Sequence, residues 1–122
     1  MKIRKLEQAL TVCKVRSIDL IDLSDDIFFI GKTDDELSLV CRTENVPDDT
    51  VECEDGWRGF FIDETLDLSL VGVLSKITGI LADAGIGIFA VSTFNTDYIL
   101  VKEENFEKAL NALGSSGYEI CG

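Results

Sequence analysis

Apolar residues gather in short β-branched and aromatic runs along the first half of the chain, and recur every three or four residues only in the second. Leu10 to Val15, Ile27 to Lys32 and Glu36 to Arg42 read as strands. The polar stretch Thr33-Asp34-Asp35 punctuates the last two, which predicts an antiparallel hairpin. Between the first two, Ile18, Leu20, Ile21 and Leu23 fit at most a turn or two of helix. The stretch from Glu44 to Gly56 holds the only proline, Pro47, and the carboxylates Asp48, Asp49, Glu52, Glu54 and Asp55. It reads as a solvated connector with at most one short strand. The chain is therefore expected to divide into a reduced unit over 1–55 and a fuller one over 56–122.

The second half predicts a complete order of elements. Trp57 to Asp63 is a strand, and Ser69 can cap a helix carrying Val71, Leu74, Ile77, Leu81 and Ala84 on one face. Gly85 ends that helix. Ile86 to Thr93 and Asp97 to Lys102 form a second hairpin around Phe94-Asn95-Thr96. Asn105 then opens a helix with Phe106, Ala109, Leu110 and Leu113 inward, stopped by Gly114 and Gly117 before a last strand over Tyr118 to Cys121. This is β-α-β-β-α-β, an α+β arrangement with the helices on one face of an antiparallel sheet. The usual strand order, 4-1-3-2, leaves two open edges, so a homodimer is the economical expectation.

The halves also resemble one another. Residues 27–40, IFFIGKTDDELSLV, lie without a gap over 88–101, IFAVSTFNTDYILV, matching Ile27/Ile88, Phe28/Phe89, Leu39/Leu100 and Val40/Val101 at an offset of 61. Half a chain length between copies points to a tandem duplication whose first copy has lost much of its helix.

Composition removes several functions. The 122 residues carry 23 acidic and 11 basic side chains, a formal charge of −12, with no basic cluster to grip phosphates or an anionic bilayer. Nucleic acid and membrane are therefore not expected partners, and neither a signal-length apolar run nor a membrane span stands out, which points to the cytoplasm. Histidine is absent. No serine stands in a nucleophile elbow and no arginine-rich phosphate loop is present, while Lys102 beside Glu103 and Glu104 reads as an ion-paired surface position. A non-catalytic protein follows. Cys13, Cys41, Cys53 and Cys121 lack a CxxC pair and read as small buried hydrophobes in a reducing compartment. The pairs Asp25-Asp26, Asp34-Asp35 and Asp48-Asp49 lack the alternating spacing of a calcium loop, so neither metal nor cofactor is expected.

The run from Val71 to Leu110, with its helix opening at Gly72, its Ala84-Gly85-Ile86 joint into an apolar strand and its order of elements, resembles the ACT domain family. The reduced first copy, DELSLV at 35–40, Trp57 and STFNTDYILV extend the likeness to stand-alone bacterial tandem-ACT proteins, themselves similar to the eukaryotic cytosolic arginine sensor. That resemblance implies two tandem ferredoxin-like (βαββαβ) ACT units and a regulatory protein that binds a small amino acid. A zwitterion needs backbone N–H donors for its carboxylate and acceptors for its ammonium. Gly72 offers the first, and Asp97, opening a hairpin strand, offers the second. The resemblance further implies contacts from Asp83, Ala84, Gly85 and Ile86 at the helix-end joint and from Thr93, Phe94 and Asp97 in the hairpin. With two copies here against four in that sensor, the site would form between chains, a second subunit adding strand-edge residues such as Ser38 and Leu39. The competing expectation is a ligand-free dimerisation module that docks onto a partner protein.

Overall fold

A computed structural model describes residues 1–64 and 71–122. Its strands are β1 (Lys2–Lys5), β2 (Leu10–Val15), β3 (Phe28–Lys32), β4 (Leu37–Arg42), β5 (Thr50–Ile62), β6 (Phe89–Ser92), β7 (Asp97–Lys102) and β8 (Glu119–Cys121). Its α-helices are α1 (Val73–Asp83) and α2 (Phe106–Ser115). They fall into two compact units, Gln8–Trp57 and Met1–Glu7 with Arg58–Gly122. The first seven residues thus group with the C-terminal half, whereas the sequence placed them with 8–55.

In the unit Gln8–Trp57 the strands lie in the order β3-β4-β2-β5, every neighbour antiparallel. Two 3-10 turns, Ile18–Leu20 and Thr43–Asn45, stand where a βαββαβ unit has its helices. In chain order the sheet therefore reads 2-3-1-4, the ferredoxin-like order seen from its other edge. Ser17 caps the first turn, its Oγ accepting the Asp19 N–H at 3.2 Å. Cys13, Val15, Ile21, Leu39 and Cys41 form the core, with Phe28, Ile30, Leu37 and Val46 against it. Thr11 is wholly buried, its hydroxyl 2.7 Å from Asp55 Oδ1 and 2.9 Å from Thr43 Oγ1.

The acidic connector is corrected. From Thr50 it is strand, and β5 spans 13 residues with register shifts along its pairing with β2. Within this unit it pairs only with β2, placing Glu52 opposite Lys14 and Glu54 opposite Val12. The side chains from Val51 to Asp55 are exposed, so the carboxylates keep their hydration while the backbone finds its ladder. A favourable cross-strand pair offsets the poor β propensity of glutamate.

In the other unit the order is β6-β7-β5-β1-β8. The expected 4-1-3-2 order is altered by β1, which stands between β5 and β8, antiparallel to the first and parallel to the second. Ile3, the one apolar residue of KIRK, explains the insertion. It is fully buried, opposite Ile62 on one side and Ile120 on the other. Ile3, Phe60, Ile62, Ile99 and Val101 meet Ile77 and Leu81 of α1 and Phe106, Ala109, Leu110 and Leu113 of α2 in a single core, so both helices cover one face. Arg58 seals the margin, its guanidinium 4.4 Å above the Phe106 ring and bonded to the Leu6 carbonyl at 3.1 Å.

Helix α1 starts after Gly72, its N-cap in the left-handed region at φ 84°. Ser69 lies outside the described residues, and Val71, expected on the buried face, is 95% exposed ahead of the helix. Both helices end alike. The Gly85 and Ile86 N–H groups bond to Ala82 and Leu81, and those of Gly117 and Tyr118 bond to Gly114 and Leu113, with both glycines at positive φ. These are Schellman ends, which explains why α2 passes through Gly114 and stops only before Gly117. No described helix is long and apolar enough to cross a membrane.

The two hairpins share a turn geometry at an offset one residue shorter than the sequence match. Thr33 N–H bonds to the Glu36 carbonyl as Thr93 N–H bonds to that of Thr96, placing the turns sixty residues apart. The burial sequences along β4 and β7 are identical, and Thr43–Asn45 and Glu103–Asn105 are both 3-10 turns. The matched pairs are then Phe29/Phe89, Thr33/Thr93, Glu44/Glu104 and Asn45/Asn105. The offset of 61 arose because apolar strand residues match in more than one register.

Candidate functional site

The connectivity of the C-terminal unit gathers at one end of its sheet the close of β5, the β6–β7 turn, the start of α1 and the close of α2. Thr96 Oγ1 donates to the Ile62 carbonyl at 2.6 Å and fastens the turn there. A cleft of about 290 Å³ opens at this end. One wall is Val71, Gly72, Val73 and Lys76 from the start of α1, the other is Ser116, Gly117 and Tyr118 from the close of α2, and Met1 completes it.

The walls differ in charge. The first backbone N–H groups of α1 have no partner within the helix and carry its positive end, and the Lys76 ammonium adds a full charge 5.9 Å from the Tyr118 ring centre. Opposite stands the carbonyl-rich negative end of α2. Val71 and the Tyr118 ring supply apolar surface. A small molecule with a carboxylate at one end, an ammonium at the other and a short carbon chain matches this distribution. Among the described residues no group of three His, Cys, Asp or Glu side chains could hold a metal ion.

Of the residues singled out in the sequence, Gly72 lines the cleft. Asp83, Ala84, Gly85 and Ile86 form the far end of α1, an eleven-residue helix about 16 Å long. Ile86 is buried there as part of the core. Thr93, Phe94 and Asp97 lie beyond β6 from that joint, at the opposite end of the strand. Thr93 is engaged in its turn, Asp97 accepts the Ser92 hydroxyl at 2.6 Å, and Phe94 is 82% exposed. None of the three lines the cleft. Ser38 and Leu39 are not edge residues as expected, because β4 is paired with β2 on one side and β3 on the other, and Leu39 is buried. Lys76, Met1 and Ser116 to Tyr118 were missed. Lys76 sits one turn after Gly72, and its N–H bonds the Gly72 carbonyl at 2.9 Å, a spacing that could have marked it.

The N-terminal unit has its own cleft, of about 660 Å³, in the corresponding place. It lies where β2 leaves for the first 3-10 turn, beside the β3–β4 turn, and both basic residues (Lys14, Arg16, Lys32) and acidic ones (Asp34, Asp35, Glu36) line it.

Comparison with known proteins bears on these features. The sequence model of the ACT domain matches residues 52–115, and a second model, described as an N-terminal domain, matches 11–49. No curated protein sequence matches the chain. Among solved structures, a protein from Agrobacterium tumefaciens is similar with 29% identity and a TM-score of 0.84, over 98% of this chain and 90% of that one. A Vibrio cholerae protein of unknown function, described as a possible transport protein, has 20% identity and a TM-score of 0.74 over 92% of this chain and 86% of that one. The ligand-free regulatory subunit of aspartate kinase from Thermus thermophilus shares the fold at 11% identity, with a TM-score of 0.64 over 96% and 98%.

Proposed function

Because the chain belongs to the ACT domain family, we propose that it is a non-catalytic regulatory protein that binds a small amino acid in the cleft beside Gly72. The observation that carries the reading is the pairing of a helix start and Lys76 on one wall with a helix close on the other. This charge distribution suits a zwitterion. The structural likeness to a kinase regulatory subunit supports a regulatory output, delivered to a partner protein. The shared turn geometry sixty residues apart supports two tandem ACT copies, the first with its helices reduced to single turns.

The joint from Asp83 to Ile86 and the hairpin residues Thr93, Phe94 and Asp97 lie at opposite ends of β6, so one ligand reaches both sets only across a contact between chains. Within the C-terminal unit β6 and β8 each pair on one side, and these edges suit a homodimer.

Thermal unfolding in the presence of each of the twenty amino acids tests the reading. A ligand at a hundred times its Kd stabilises the folded chain by about 2.7 kcal/mol. One amino acid, or one side-chain class, is expected to raise the Tm. A flat response at millimolar concentrations would leave only a ligand-free docking module.

A further inference from the structure

Three of the four cysteines come together in the N-terminal unit. Cys13 of β2 and Cys53 of β5 stand directly opposite one another in the antiparallel ladder. Cys41 of β4 belongs to the same buried cluster as Cys13. All three are free thiols, Cys13 and Cys41 buried and Cys53 exposed. The expectation of four buried hydrophobes thus fails for Cys53, and for the half-exposed Cys121.

Opposed residues on antiparallel strands share a face and hold their Cα atoms about 4.5–5.5 Å apart. A disulfide needs about 4.4–6.8 Å. Pairing in the ladder puts the backbone at 13 and 53 within that range, and one thiol is exposed while the other is buried.

We propose that Cys13 and Cys53 are a reversible disulfide site, closed by a hydroperoxide and opened by a dithiol. The Cys53 thiolate attacks the peroxide oxygen, giving a sulfenic acid and, from hydrogen peroxide, one water after protonation. The Cys13 sulfur then attacks the sulfenic sulfur, forming the S–S bond and releasing a second water. Two thiols lose two electrons and two protons, and the peroxide takes them up. The bond ties β2 to β5 and so restricts the unfolded chain.

The surroundings set the rate. Burial, aided by the neighbouring thiol and carboxylate charges, raises the Cys13 and Cys53 thiols above their ordinary value, with Asp55 Oδ1 3.7 Å from the Cys53 sulfur. Cys41, pushed up to about 12 chiefly by burial, stays a thiol. The pair is therefore slow at neutral pH and quickens about tenfold per pH unit while the thiolate remains the minor form.

The test treats the full chain with hydrogen peroxide at pH 7 and 8, blocks remaining thiols with N-ethylmaleimide, and maps the products by peptide mass spectrometry. The expected product is a Cys13 peptide joined to a Cys53 peptide with loss of two hydrogens, formed about tenfold faster at the higher pH, persisting in Cys41→Ala and reversed by dithiothreitol. Because Cys53 is exposed, Cys53→Ser keeps the fold and is expected to form no bridge from Cys13. Retention of all four thiols, conversion of Cys53 to the sulfinic acid without a bridge, or a bridge joining Cys13 to Cys41 in the unaltered chain would each overturn the proposal.

Discussion

Thr96 donates a 2.6 Å hydrogen bond from its side-chain oxygen to the main-chain carbonyl of Ile62. The bond joins the β6–β7 turn to the last residue of β5, and the threonine is 8% exposed. The same residue accepts the Thr93 N–H and hydroxyl on its own carbonyl, so one side chain and its backbone hold both the turn and the sheet end beside the cleft. Thr96→Val keeps the shape and strands the Ile62 carbonyl. A loss of about 1–3 kcal/mol in urea unfolding is expected, and an unchanged midpoint would contradict the role.

Gly72, the N-cap of α1, and Gly79 within the helix separate conformation from space. Nothing lies within 4 Å of a Cβ built on Gly72 or on Gly79. Gly72 has φ 84° and Gly79 does not. Gly72→Ala is expected to cost about 1–2 kcal/mol from the left-handed backbone, whereas Gly79→Ala is expected to add about 0.5–1 kcal/mol of stability by favouring the helix. Denaturant unfolding of both variants checks the opposite signs.

Alkaline pH should weaken the N-terminal unit. The Cys41 thiol rises from 9.0 to about 12 in the folded chain, chiefly because burial disfavours its charged form. The folded state therefore holds the proton more tightly than the unfolded one. That stabilisation is complete below pH 9 and is lost as the pH climbs toward 12. The urea midpoint is expected to fall over this range, and to fall less in Cys41→Val than in the unaltered chain.

Lys76 is exposed and its contact with the Tyr118 ring lies at the edge of useful range, so its removal should leave the fold intact. Lys76→Met is expected to weaken binding of the stabilising amino acid about tenfold, near 1.4 kcal/mol, with the Tm of the free protein unchanged. Isothermal titration reads the affinity and calorimetry the Tm.

The strands that could be read from the chain are those whose apolar residues do the folding. Leu10 to Val15 and the two hairpins announce themselves by β-branched runs, and α2 by Phe106, Ala109, Leu110 and Leu113. The hidden elements are those held by partners rather than by their own composition. β1 has one apolar residue, Ile3, and is a strand because Ile62 and Ile120 flank it. The acidic half of β5 is a strand because β2 supplies its ladder while its carboxylates stay in water. Of the residues singled out in the sequence, Gly72 lines the candidate cleft. Its other wall comes from the close of α2, more than forty residues away in the chain, and local pattern carries no trace of that meeting. Asp97 and the Asp83 joint lie at opposite ends of β6, a separation that depends on the sheet and not on local pattern.

The most direct measurement is the change in backbone amide NMR shifts when the amino acid that most raises the Tm is titrated into the isotope-labelled chain. Saturable shifts at Gly72, Val73, Lys76, Gly117 and Tyr118 are the predicted result. Saturable binding that leaves those five amides unmoved, or no shift with any amino acid, would contradict a ligand cleft between the start of α1 and the close of α2.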